Sequence, residues 1–169
     1  MNFPSRIKFL TFLKDKHKSY ELKFPIETVF NAINNIPPSV GLWSDSNIML
    51  KYFDGKDFTI QLIRLNADVT SPKLASKLFG EIEKQNDSET ILRTTVKCTP
   101  GTYISFFISI LGGLIFLGKL LFSHADIENL LWAILMLGVF PYLLTWFKNV
   151  SDTAITENFE DYLSKELKT

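Results

Sequence analysis

Cysteine and histidine are almost missing from this chain of 169 residues, which holds one Cys (Cys98) and two His (His17 and His124). A lone thiol excludes an intrachain disulfide and a cysteine-rich metal site. Cys98 has no histidine near it in sequence to activate it, and it stands five residues before an apolar run, where reversible acylation is conceivable. Phosphate-binding loops, dinucleotide fingerprints, zinc-protease helices, nucleophile elbows and kinase signatures are also lacking. There is no net charge, with 18 Lys and Arg against 18 Asp and Glu. No stacking platform accompanies the basic residues, so no nucleic-acid partner is expected. No cofactor is expected either. These absences favour a non-enzymatic protein, since most active sites leave ionisable groups that can converge.

Two long apolar runs are present. Tyr103–Phe122 has 20 residues with one charge, Lys119, and Leu130–Phe147 has 18 residues with none. A helix rises about 1.5 Å per residue, so roughly 20 apolar residues cross a hydrocarbon core of about 30 Å. Trp132, Tyr142, Trp146 and Tyr103 stand towards the ends of the runs, as amphipathic rings do at headgroup level. Lys119 is close enough to the end of its run for its stem to carry the ammonium to the interface, the alternative being a functional intramembrane charge. The connection 123–129 lacks Lys and Arg, whereas Arg93, Lys97 and Lys148 flank the runs on the other side. By the positive-inside rule both termini are cytosolic. The sequons at Asn86 and Asn149 then stay unmodified. Within this hairpin Ser105, Ser109, Gly112 and Gly113, facing Gly138 and Pro141, form small-residue ridges for helix packing or self-association. Pro141 is expected to kink the second helix. In the connection, His124, Asp126 and Glu128 are metal-capable, but their spacing fits no strong motif and no metal site is assigned to them.

Residues 1–100 hold 14 Lys and Arg against 11 Asp and Glu. The excess is concentrated in Arg6, Lys8, Lys14, Lys16 and Lys18, interleaved with Ile7, Phe9, Leu10, Phe12 and Leu13. This stretch is too short and interrupted for a secretory signal. It suits a membrane-surface segment, with membrane lipids as partner. It suits the first strand or helix of a domain equally well.

From Ser19 to Pro100 the pattern is α+β. Tyr20–Phe24 alternates like a strand, and Pro25 opens a helix with Ile26, Val29, Phe30 and Ile33 on one face. Residues 48–53, 58–65, 77–84 and 90–98 read as strands, with Asp54-Gly55 as a hairpin turn. Glu81 and Glu83, with Lys77 and Lys84 near them, read as the solvent side of a half-buried sheet. The expected fold is a small antiparallel sheet with one packed helix, followed by a two-helix transmembrane hairpin and a C-terminal amphipathic helix. The divisions are a cytosolic domain over 1–100, the hairpin over 101–148 and the tail over 149–169. Asp152 is the expected N-cap of that tail, whose stripe of Ile155, Phe159, Tyr162, Leu163 and Leu167 covers the domain, a second copy or a partner groove.

The strand Lys77-Leu78-Phe79-Gly80-Glu81-Ile82, the strand Thr90-Ile91-Leu92-Arg93, Pro100 and the two runs together resemble small uncharacterised bacterial two-span membrane proteins over residues 76–147. That resemblance implies the bacterial inner membrane and, since the group has no assigned activity, carries over no active-site residues. The strand–helix–meander order over Tyr20–Cys98 is similar to lipid-binding helix-grip folds, which enclose an apolar pocket. Here the hairpin is expected to replace the long C-terminal helix that closes the pocket. Two functions follow as expectations: a membrane-anchored accessory or interaction protein, with a protein partner or self-association, or a binder of lipid or another small hydrophobic ligand at the cytosolic membrane surface.

Overall fold

A computed structural model describes residues 14–38, 47–63, 76–122 and 126–167. Its elements are β1 (Lys16–Leu22), α1 (Ile26–Asn34), β2 (Ile48–Phe53), β3 (Asp57–Leu62), β4 (Lys77–Lys84), β5 (Thr90–Lys97), α2 (Pro100–Phe122) and α3 (Ile127–Glu166). The strands form one antiparallel sheet in the order β1-β5-β4-β3-β2. Four strands are a meander, and β1 closes the sheet on the far side of β5.

Local chemistry sets the turns and register. Gly55 adopts φ +93°, and the Asp54 carboxylate accepts from the amides of Lys56 at 2.9 Å and Asp57 at 2.7 Å. The alternation of β3, β4 and β5 sends Phe58, Ile60, Leu62, Leu78, Ile82, Leu92 and Val96 to one buried face. Gly80 belongs to that face because the Phe58 ring lies over it and a Cβ would overlap the ring. β1 begins earlier than its apolar pattern predicts. Its pairing with β5 runs from Lys16↔Val96 to Leu22↔Thr90, so backbone bonding draws in polar residues. Phe24 lies beyond the strand, where its carbonyl accepts from the Thr90 hydroxyl at 2.8 Å.

Helix α1 and the last third of α3 cover the buried face. Val29, Ala32, Ile33 and Ile36 meet Ile155, Phe159, Leu163 and Leu167 in one core. Phe159 packs on Phe58 with ring centres 5.8 Å apart, and the Tyr162 hydroxyl donates to the Ala32 carbonyl at 2.9 Å. The C-terminal stripe therefore covers the domain itself. The expected loss of a long C-terminal helix is corrected: the hairpin is inserted ahead of that helix, which remains on the sheet. Phe58 and Phe159, 1% and 0% exposed, are packed together in the core under the sheet.

The expected division at residue 148/149 and the N-cap at Asp152 are corrected too. Helix α3 runs unbroken for 40 residues from Ile127 to Glu166, and Asp152 is an interior residue. Nothing near Lys148 can stop a helix: no Gly or Pro lies between Tyr142 and Glu166.

Two helices, Pro100–Phe122 and Ile127–Glu166, are long and apolar enough to cross a membrane. Only 17% and 11% of their most apolar windows are buried, so their apolar side chains face outward. A π turn at Leu135–Val139 precedes Pro141 in α3. Within the turn the Phe140 amide bonds to the Leu135 carbonyl. In that register the Met136 carbonyl awaits the amide of residue 141, and proline has none. Ser109 on α2 fills the gap, its hydroxyl donating to the Met136 carbonyl at 2.5 Å.

Candidate functional site

The strand β5 turns into α2 after only Cys98 and Thr99. The ends of β1 and β4 paired with this end of β5 therefore lie beside the hairpin. Here α3 passes from its apolar half to its core-packing half, and a polar cluster is buried at the crossing. Lys148 and Asp152, one turn apart, are 2% and 0% exposed and paired at 2.7 Å. Asp152 also accepts from the Ser76 hydroxyl at 2.5 Å and faces Lys16 at 3.5 Å, while the Ser151 hydroxyl accepts from the Ser76 amide at 2.9 Å. A charge held out of water needs such partners, because an isolated one costs several kcal/mol, of order 3–5 on loss of its mate. Among the described residues no buried side-chain polar atom lacks a hydrogen-bond partner. Beside the pair, burial pushes the Cys98 thiol up, partly offset by a hydrogen bond with Thr102. The cluster ties α3, β1 and the residue before β4 into one joint.

Next to this joint a pocket of about 650 Å³ opens between β1 and α3, lined by Lys14, Lys16, His17, Lys18, Asn149 and Thr156 among others. Two further concavities lie away from it. A shallow groove of about 700 Å³ runs over the open face of the sheet, past His17, Tyr52, Phe79, Arg93 and Thr95. Two of its charged side chains are paired, Glu81 with Lys56 at 2.7 Å and Arg93 with Glu83 at 2.9 Å. This is the solvent side expected from Glu81 and Glu83. An apolar groove of about 500 Å³ lies between β1 and the end of α3, lined by Tyr20, Leu22, Phe24, Leu163 and Leu167. At its rim Glu160 accepts from Lys18 and, at 2.7 Å, from the Tyr20 hydroxyl. Burial and the Glu160 charge push the Tyr20 phenol up. Burial opposes ionisation of Glu160, but the bonds from Lys18 and Tyr20 outweigh it and hold the carboxyl below its ordinary range.

The sequence-predicted residues fare unequally. Ser109 and Gly113 pack between the helices; a Cβ on Gly113 would overlap Leu137, and Gly112 faces Met136. Pro141 is buried. Ser105 and Gly138 are exposed and take no part in packing α2 on α3, which meet along a narrower stripe than the four-residue spacing predicts, so of the two expected roles only self-association is open to them. Arg6 and Lys8 lie outside the described residues, as does His124. Of the membrane-surface lysines, Lys14 is exposed, while Lys16 and Lys18 point along the inner side of β1 to Asp152 and Glu160. Asp126 caps α3 by accepting from the Glu128 amide at 3.2 Å, and no group of three metal ligands occurs among the described residues. The buried joint of Ser76, Lys148, Ser151 and Asp152 is absent from the sequence reading. The i, i+4 spacing of Lys148 and Asp152 was its available signal. No family model matches the chain, and no curated protein matches it.

Proposed function

We propose that this chain is a membrane-anchored interaction protein without enzymatic activity, its hairpin crossing the bacterial inner membrane and both termini lying in the cytosol. One observation carries the reading: α3 is continuous from the hairpin into the core, with a buried ion pair at the crossing. A tether needs only a flexible linker. An unbroken helix locked by Lys148–Asp152 instead holds the domain at one height and one orientation above the bilayer. That geometry suits presentation of a face to a partner, and the face left open is the outer side of the sheet. Thr95 and Phe79 stand at its centre, with paired charges around them.

Photocrosslinkers placed at Thr95 and at Phe79, in native membranes, test this. Both positions should give the same discrete protein adduct, and one at lipid-facing Leu111 should not. A chain that yields only lipid adducts from all three sites is not an interaction protein of this kind.

The apolar groove beside Tyr20 and Leu163 keeps a second reading, the binding of a small hydrophobic ligand. Its location weighs against a lipid drawn from the bilayer, since it lies at the end of the domain away from the hairpin. A ligand-dependent rise in melting temperature that Leu163→Arg removes would favour it.

A further inference from the structure

We propose that the pocket between β1 and α3 beside the hairpin binds the anionic headgroup of an inner-leaflet phospholipid, through Lys14, Lys16 and the Asn149 amide. The inference rests on the membrane topology proposed above and adds a ligand to it.

Charge comes first. Asp152 faces two cations, Lys148 at 2.7 Å and Lys16 at 3.5 Å, so this group carries a surplus positive charge. Lys18 is neutralised by Glu160, and Asp15, the one carboxylate in the pocket lining, is 4.0 Å from Lys97. No carboxylate among the described residues is within ion-pair distance of Lys14. The pocket mouth thus keeps Lys14 with no carboxylate partner among the described residues and Lys16 as one of two cations sharing the Asp152 carboxylate, a surplus that suits a phosphodiester.

Depth comes second. Asn149 follows the apolar run by two residues, and Thr156 lies seven residues further along the helix, roughly 10 Å at the rise of an α-helix. The headgroup layer is about 5–8 Å thick on each side of the hydrocarbon core. The lower half of the pocket therefore stands at headgroup depth. Below it Trp146, 56% exposed, offers an apolar surface to the acyl chains. Polar and apolar parts are stacked in the order a lipid presents them.

The probe is brominated lipid, which quenches a nearby indole. The chain has three tryptophans, Trp43, Trp132 and Trp146, so W43F/W132F leaves the one below the pocket. Full-length protein is placed in phosphatidylcholine nanodiscs doped with either brominated phosphatidylglycerol or brominated phosphatidylcholine. Phosphatidylglycerol should associate preferentially, and Lys14→Ala should lower that preference about fivefold, the worth of one basic residue at an anionic surface. Lys84→Ala, at the other end of β4, should leave it unchanged. Equal quenching by both lipids, or a preference unaffected by Lys14→Ala, overturns the site while leaving the spans intact. No quenching by either lipid overturns the membrane reading and the site with it.

Discussion

The two halves of α3 share one backbone and bury opposite surfaces. Between Ile127 and Phe147 the apolar side chains point outward, with Tyr142 and Trp146 at 70% and 56% exposure. Between Lys148 and Glu166 they point inward, with Ile155 and Phe159 at 0%. A hydrocarbon surround suits the first pattern and water suits the second. Exposed apolar surface gives way to buried apolar surface within about one turn, and the charged pair Lys148–Asp152 sits in that turn, 2% and 0% exposed. The lesson is that a continuous helix can bury a charge pair where its two surfaces change over, provided the pair is satisfied.

Breaking the joint is the harshest test of that comparison. Asp152→Ala leaves Lys148 buried without its partner, which costs about 3–5 kcal/mol. Urea unfolding of the domain in detergent should show the loss, while extraction from membranes by alkaline carbonate should still find the protein inserted. Replacing both charges, as Lys148→Met with Asp152→Leu, should recover most of the stability, since a packed apolar pair of similar volume is often neutral or better. If the single change costs nothing, the pair is not what joins the halves.

Within the apolar half the corresponding weak point is the Met136 carbonyl, orphaned by Pro141 and held by Ser109. Ser109→Ala should cost the hairpin about 1–3 kcal/mol, the penalty of an unpaired buried acceptor. Resistance of the hairpin to SDS-induced separation would report it. Pro141→Ala restores an amide donor, so Ser109→Ala in that background should cost little. Equal costs in the two backgrounds would mean that the serine serves packing alone.

What the sequence made legible follows from how local each signal is. The four meander strands, the helix after Pro25 and both apolar runs rest on periodicity and turn chemistry within a dozen residues, and they stand close to where they were expected. The joint was not legible, because Ser76 and Lys16 reach Asp152 from segments 76 and 136 residues away. Asp152 followed an apolar run and preceded an amphipathic one, so local rules made it a cap. Tertiary burial made it an interior ion-pair partner. Ser105 and Gly138 lie off the contact between α2 and α3 for a related reason: spacing gives a face, but only the partner helix decides how wide the contact is.

Two weaker contacts sharpen the water-facing half. The Tyr162 hydroxyl bonds to the Ala32 carbonyl, and burial, aided by Glu166, pushes its phenol up to about 12. The folded state therefore favours the neutral phenol. Its contribution is complete below the unfolded value of about 10 and is lost as pH rises from there towards the folded value. Tyr162→Phe should cost about 1 kcal/mol at neutral pH and flatten that alkaline limb in pH-dependent urea titrations. An unchanged limb would place the alkaline sensitivity elsewhere.

The smallest effect belongs to Lys18 and Glu160, whose side chains are 51% and 35% exposed. Exposed pairs contribute about 0.2–1 kcal/mol, so Lys18→Ala should be barely measurable in low salt and vanish in high salt. Glu160 is held below its ordinary range, so its contribution is present above the unfolded value of about 4.3 and fades as pH falls through the folded one. Lys18→Ala should flatten this acid limb and leave the neutral plateau almost untouched. The buried pair at the crossing should respond the other way, with a large loss on substitution and little dependence on salt, because no solvent screens it. If salt erases both effects alike, water reaches the joint, and the two halves of α3 are not separated by a dry turn.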